Sequence, residues 1–319
     1  MRYAAHVVGS VPRERRCRPD DVWRIRAFLR EAVVADGERP RTWSVARLDY
    51  TCAHVLPNVA GVALHDVAWL WEHDARVVAL ALPDGPLGEA HLSLAPAYRQ
   101  GPLLDAMLDR AEADLAARGA DGRASLVVWS HADDEDRSER LRRRAYAPTD
   151  VVERVYRSAL RADAVEPPAP DRYTIRALGD GLELLERCYA SGLAFHDGDL
   201  SVASDNRADA AWYRRLQRAP LYRRDLDLVA LTEAGAVAGF VSVWFDDVTR
   251  DATLEPVGVV PEHRGRGVGR ALVATALARA ARYGALRAFV GGYDAAAEAL
   301  YGSLLRDGRD DIVAWRRRW

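Results

Sequence analysis

The sequence predicts an α/β fold of the α+β mixed-sheet kind, arranged as two tandem domains that each flank a central mixed β-sheet with helices. Three observations carry this. Near the C-terminal end an apolar run (Val257, Val259, Val260) passes through Arg264-Gly265-Arg266-Gly267-Val268-Gly269-Arg270 into a helical run of Ala271, Leu272, Ala274, Ala276, Leu277, Ala278 and Ala280. An earlier stretch, Leu94-Ala95-Pro96-Ala97-Tyr98-Arg99-Gln100-Gly101, lines up with it when Pro96 is set on Pro261. Without a gap, Arg99 then falls on Arg264 and Gly119-Ala120 on Gly284-Ala285. Between the copies lies Glu166-Pro167-Pro168-Ala169-Pro170, whose prolines cannot join a hydrogen-bonded ladder. A length of 319 residues suits two domains. The expected division is 1–160, a stiff extended linker at 161–171, and 172–319.

In chain order, Asp20-Asp21 before an amphipathic run predict a helix starting at Val22. Residues 42–55 are ambiguous. Residues 67–71 and 76–82 read as a hairpin about a polar turn, and 90–94 as a further strand. Leu104, Met107, Leu108 and Leu115 predict a helix over 103–117, capped by Gly119. A strand at 124–129, a charged helix at 133–145 and a strand at 151–159 complete the first half. The second half repeats the order: strand 173–177, helix 180–192, a polar loop at 196–205, a short helix at 208–218, hairpin strands 226–231 and 237–245, and strand 253–260. After the glycine turn and its helix come strand 285–290, helix 295–305 and a last strand at 312–316.

Composition narrows the function. Hydrophobic residues at 49% and charged residues at 29% are globular values. All 45 basic residues are arginine, which excludes a lysine nucleophile or Schiff base. A net charge of −2 gives no general pull toward nucleic acid. Cys17, Cys52 and Cys188 are isolated, without metal or disulfide spacing, which fits a reduced cytoplasmic setting. Met1 to Asp20 is arginine-rich and poor in apolar residues, unlike a secretory signal. No run approaches the ~18 apolar residues of a membrane span.

A glycine-rich turn entering a helix exposes consecutive N–H groups at the positive end of the helix dipole, a recipe for pyrophosphate binding. The nucleotide P-loop requires a lysine that this chain lacks, and Gly265-x-Gly267-x-Gly269 is a poor dinucleotide fingerprint. Arg264-x-x-Gly267-x-Gly269, preceded by Val257-x-Val259-x-Pro261-Glu262-His263, instead resembles the acyl-CoA motif of the GNAT superfamily of N-acetyltransferases. Asp294-Ala295-Ala296-Ala297-Glu298-Ala299-Leu300-Tyr301 looks like that family's Asn-x-x-Ala-x-x-Leu-Tyr helix. In the first copy Pro102 and Leu104 stand where Gly267 and Gly269 would be. Proline has no N–H to donate, so that copy is expected to be degenerate.

The resemblance implies transfer of an acetyl group from acetyl-CoA, as co-substrate, to the amine of a small molecule by direct attack. It assigns the pyrophosphate to Arg264, Gly265, Arg266, Gly267, Val268, Gly269 and Arg270. It assigns the pantetheine arm to Val257, Gly258 and Val259, on a strand splayed from its neighbour. Tyr301 becomes the candidate acid at the leaving thiolate and Glu255 the candidate base for the amine. Asp294 keeps an acceptor where the family more often has asparagine. Mycothiol synthases share such a tandem layout. The alternative is a non-catalytic acyl-CoA-binding or regulatory module. His196, with Asp197 and Asp199, is a candidate for the acceptor site against a mobile polar loop. Asp246 and Asp247 are read as solvated turn residues rather than an amine site. His131 beside Asp133 and Asp134 is read as surface rather than metal, and Trp315-Arg316-Arg317-Arg318-Trp319 as a terminal strand.

Overall fold

The computed structural model describes residues 11–319; residues 1–10, part of the stretch read above against a secretory signal, lie outside the described residues. The chain divides into two compact units. The first comprises residues up to Glu153 together with Asp310–Trp319, and the second Arg154–Arg309.

The first unit runs β1 (Arg13–Arg16), α1 (Val22–Asp36), α2 (Val45–Tyr50), a π-helical segment (Thr51–Ala60), α3 (Leu64–Val67), β2 (Trp69–His73), β3 (Arg76–Pro83) and β4 (Glu89–Leu94). It continues through α4 (Leu103–Asp114), β5 (Ala117–Arg118), β6 (Ala124–His131), α5 (Glu135–Arg143) and the start of β7 (Ala147–Ala159). The expected hairpin forms, its turn made by Asp74 and Ala75 at positive φ. β1, β2, β3 and β4 pair antiparallel in that order, and β4 pairs with β6 in parallel. β3 is buried from Val77 onward because helices cover both faces of a central strand. Ile25 and Leu29 of α1 and Met107 and Leu108 of α4 are fully buried, as their helical spacing requires. Gly119 is not the cap of α4: the helix ends at Asp114, with Leu115 N–H bonded to Ala111 O, and Gly119 turns the chain between β5 and β6.

The second unit takes the rest of β7, then β8 (Tyr173–Ala177), α6 (Leu182–Phe195), α7 (Leu200–Ala208), α8 (Ala211–Leu216), β9 (Asp227–Thr232), β10 (Val237–Asp246) and β11 (Asp251–Val259). α9 (Val268–Arg282), β12 (Arg287–Gly292) and α10 (Ala295–Leu304) follow. Its strands lie in the order β7, β12, β11, β10, β9, β8, with β11 and β12 parallel and the other pairs antiparallel. β10 is buried along its whole length. One face of the sheet packs on α9 through Val241, Val243, Leu254, Leu272 and Ala276. Residues expected as a polar loop at 196–205 contain α7, started by Asp199, whose side chain accepts from Ser201 N–H (2.8 Å) and Val202 N–H (3.2 Å).

The repeat is visible in the backbone. Pro96–Tyr98 and Pro261–His263 each form a 3-10 turn after a residue of nearly the same conformation, Ala95 (φ −59°, ψ 142°) and Val260 (φ −58°, ψ 136°). Ala95 N–H bonds to Val78 O at 2.8 Å and Val260 N–H to Ala238 O at 3.0 Å. Arg99 and Arg264 each donate to the carbonyl five residues earlier, Leu94 (3.4 Å) and Val259 (3.1 Å).

The division expected at 160 and 172 differs from the observed one, because the last strand of each repeat joins the other sheet. Residues 154–159 of β7 pair with β12. β13 (Gly308–Arg318) returns to the first unit, where Ile312–Arg318 pair antiparallel with His131–Ser125 of β6. Strand alternation reports burial, not the partner, so sequence cannot show this exchange. The proline-rich segment contains neither helix nor strand, as expected. It lies within the second unit, where Glu166 accepts from Arg279 Nε (3.2 Å) and pairs with Arg282. Among the described residues no helix is long and apolar enough to cross a membrane.

Candidate functional site

The glycine turn builds an uncapped helix N-terminus. Gly267 occupies the N-cap position of α9 at φ 80°, ψ −4°, a left-handed conformation that costs a side-chain-bearing residue. No side chain caps the helix and no acidic residue sits in its first turn. The first helical bond runs from Ala271 N–H to Gly267 O, which leaves the N–H groups of Val268, Gly269 and Arg270 without intrahelical acceptors. A Cβ at Gly269 would stand 3.2 Å from Val259 Cγ2 and 3.4 Å from Leu300 Cδ2, so glycine lets α9 approach both β11 and α10. These features fit a pyrophosphate. Arg264, exposed in the loop, makes two bonds to backbone carbonyls. Its Nε donates to Val259 O (3.1 Å) and its Nη2 to Ala194 O (2.9 Å), tying the loop to β11 and to α6. Arg270 reaches Ser303 Oγ at 2.7 Å, and Arg266 is exposed.

Beside the loop, the β11–β12 ladder covers only Asp251–Thr253 against Arg287–Phe289. Beyond Thr253 the β12-facing edge of β11, which carries Val257, Gly258 and Val259, has no ladder partner among the described residues. That is the splay expected for a strand presenting its backbone to a pantetheine chain. A bulge sits at its start: Val241 pairs with Val257 and Val243 with Leu254, so Glu255 and Pro256 together oppose Ser242. Trp244 Nε1 donates to the Glu255 carbonyl and fixes the bulge. A Cβ at Gly258 would overlap the Phe240 ring, so this glycine is required by close strand packing.

Tyr301, on α10, is 6% exposed and packs edge-on to Tyr156, with ring centroids 6.4 Å apart, and against Gly292. Its hydroxyl has no hydrogen-bond partner among the described residues. Burial raises its pKa, and the charges of Asp294 and Glu255 raise it further. The phenol therefore stays protonated, as a proton donor must, and the structure brings Glu255 and Asp294 each within electrostatic reach of Tyr301. Asp294 itself caps α10, accepting from Ala297 N–H at 2.7 Å, so this oxygen is committed to the helix.

Other residues singled out in the sequence have their own settings. His196 is exposed at the C-cap of α6. Asp246 is not a solvated turn residue: it is 3% exposed and accepts from Thr249 Oγ1 (3.1 Å) within the β10–β11 turn. Asp133 is paired with Arg39 and Arg41, and Asp134 caps α5. Sequence reasoning missed a buried polar cluster behind β10. Asp227 accepts from the hydroxyls of Tyr213 (2.7 Å), Tyr222 (2.8 Å) and Ser242 (3.0 Å), and Arg187 stacks 3.4 Å above the Phe240 centroid. Burial raises the Asp227 pKa, opposed first by Arg187. Its residues come from α6, α8, the loop before β9, β9 and β10, and no local pattern joins them.

In the first unit the cradle is not reproduced. Pro102, at the N-cap of α4, has φ −74° where Gly267 has φ 80°, and it offers no N–H.

The model of the acetyltransferase (GNAT) family matches residues 183–304. No curated protein matches the chain by sequence. Solved structures of similar fold include a GCN5-related N-acetyltransferase from Sphaerobacter thermophilus, 19% identical at TM-score 0.59, with 96% of this chain and 95% of that chain covered. A tandem GNAT protein from the clavulanic acid biosynthesis pathway is 17% identical at TM-score 0.61, covering 94% and 96%. A GNAT-family acetyltransferase from Colwellia psychrerythraea is 10% identical at TM-score 0.55, covering 96% and 100%. At these identities the likeness speaks for the fold.

Proposed function

We propose that this chain, a member of the GNAT acetyltransferase family through its domain at 183–304, transfers an acetyl group from acetyl-CoA to the amine of a small molecule, with the chemistry in the second unit. The observation that supports this best is one juxtaposition. An uncapped helix N-terminus with Gly267 at φ 80° adjoins a strand edge released after Thr253, and a buried, protonated Tyr301 lies on the neighbouring helix. Acetyl-CoA supplies an activated thioester. The N–H groups of Val268, Gly269 and Arg270 hold its pyrophosphate, and the free edge of Val257–Val259 holds its pantetheine arm. Glu255, on the bulge, takes a proton from the substrate ammonium directly or through water, the neutral amine attacks the thioester carbonyl, and the Tyr301 hydroxyl donates to the departing thiolate. The first unit contributes no cradle.

The test is release of free thiol from acetyl-CoA across a library of small amines and aminoglycosides. Transfer to at least one amine is expected, with Tyr301→Phe lowering turnover by about ten- to a thousand-fold while acetyl-CoA affinity stays near wild type. Binding without thiol release for any amine would leave a cofactor-holding module instead. Full activity in Tyr301→Phe would remove Tyr301 from the proton transfer.

A further inference from the structure

We propose that the first unit holds one halide-sized anion in a cavity at the place where its repeat-mate carries the glycine loop. The cavity, of about 20 Å³, is bounded on its apolar side by Leu94 and Leu104, the counterparts of Val259 and Gly269. In the second unit a Cβ at Gly269 would already stand 3.2 Å from Val259 Cγ2. In the first, a leucine side chain fills that region and leaves a small chamber walled by Arg41, Arg99, His131, Asp134 and Arg137.

Two of the three arginines in this wall are held in direct ion pairs and the third is not. Arg99 is neutralised by Asp36 through two bonds of 2.7 and 2.8 Å, and Arg41 by Asp133 through bonds of 2.7 and 3.0 Å. Arg137 has only the Leu92 carbonyl, at 3.2 Å from Nη1. Its Nε and Nη2 are buried and have no hydrogen-bond partner. Asp134, the carboxylate in the wall, uses Oδ1 on the backbone N–H of Arg137 to cap α5 (3.0 Å). His131 adds no positive charge, because burial and then the Arg41 charge push its pKa down to about 4. The wall therefore presents one guanidinium, opposed electrostatically by Asp134 but with two buried nitrogens that lack an acceptor, and a buried donor left unpaired is costly. The volume exceeds the roughly 10–15 Å³ that a single water requires. A monatomic anion such as chloride would accept from both unused nitrogens of Arg137.

Bromide is the probe. Crystals of the full chain soaked in sodium bromide are expected to show an anomalous peak within hydrogen-bonding distance of Arg137 Nε and Nη2. In solution, exchanging methanesulfonate for bromide at constant ionic strength should raise Tm by about 2–4 °C, and Arg137→Leu should lose that dependence. Density in the cavity without anomalous signal would identify water and overturn the proposal. Bromide found only on surface arginines would do the same, as would an undiminished bromide dependence in Arg137→Leu. The soak uses the wild-type chain, so it decides the matter even if that variant fails to fold.

Discussion

Gly267 is where local backbone energetics and cofactor affinity meet, so a substitution series there yields a worked prediction. Its φ of 80° lies in the left-handed region, and a Cβ would stand 3.6 Å from Pro170 Cγ, an ordinary contact. The cost of Gly267→Ala is therefore conformational, about 1–2 kcal/mol for a side-chain-bearing residue in that region. If the loop keeps its shape, the cost appears as lower folding stability. If the loop relaxes, it appears as weaker binding, by at most about 5- to 30-fold at 1.4 kcal/mol per decade. Gly267→Asn should lose less, because asparagine visits this region more readily. Gly267→Pro forces φ to about −65° and deletes the N–H, so the cradle cannot form. Calorimetric titration with acetyl-CoA should rank the series as wild type, Asn, Ala, then Pro with no detectable binding. Wild-type affinity in Gly267→Pro would refute the placement of the cradle.

Two further perturbations address the first unit. Glu89 accepts from Trp129 Nε1 (2.7 Å), and burial, then the nearby Asp84, raises its pKa to about 7. A carboxyl raised in the folded state contributes stability that is complete below its unfolded pKa and lost as pH rises through about 7. Urea unfolding should therefore show wild type losing on the order of 2 kcal/mol between pH 5 and 8 from this group, with that slope absent in Glu89→Gln; equal pH dependence in both would contradict it. Truncation after Arg309 removes the strand paired with β6 but none of the second unit's core. Limited proteolysis should then leave a resistant fragment beginning near residue 154, whereas a resistant first unit would contradict the strand exchange.

Much of this was legible in the sequence because it depends on local chemistry. Gly267 and Gly269 followed by an alanine-rich run specify a turn and a helix, and the apolar runs of β3 and β10 bounded by polar turns specify strands. The order of elements and the repeat anchored on Pro96 and Pro261 follow from the same signals. What stayed hidden is nonlocal. β7 and β13 read as ordinary strands, but their hydrogen-bond partners lie in sheets that no local pattern names. α7 went unread because its Asp199 cap was taken for loop polarity. At the site, the resemblance offered the loop, Glu255 and Tyr301 as candidates, but nothing local showed the bonds of Arg264 to two carbonyls or of Asp294 in the α10 cap. The Asp227 cluster, assembled from four elements, left no trace in any window.

The central claim is that one of two related units holds acetyl-CoA. The most direct measurement is the stoichiometry of acetyl-CoA binding to the full chain by calorimetry, repeated on Gly267→Pro. One site per chain is expected, lost entirely in the variant. Two sites, or one site that survives Gly267→Pro, would show that the first unit binds the cofactor and would contradict the account.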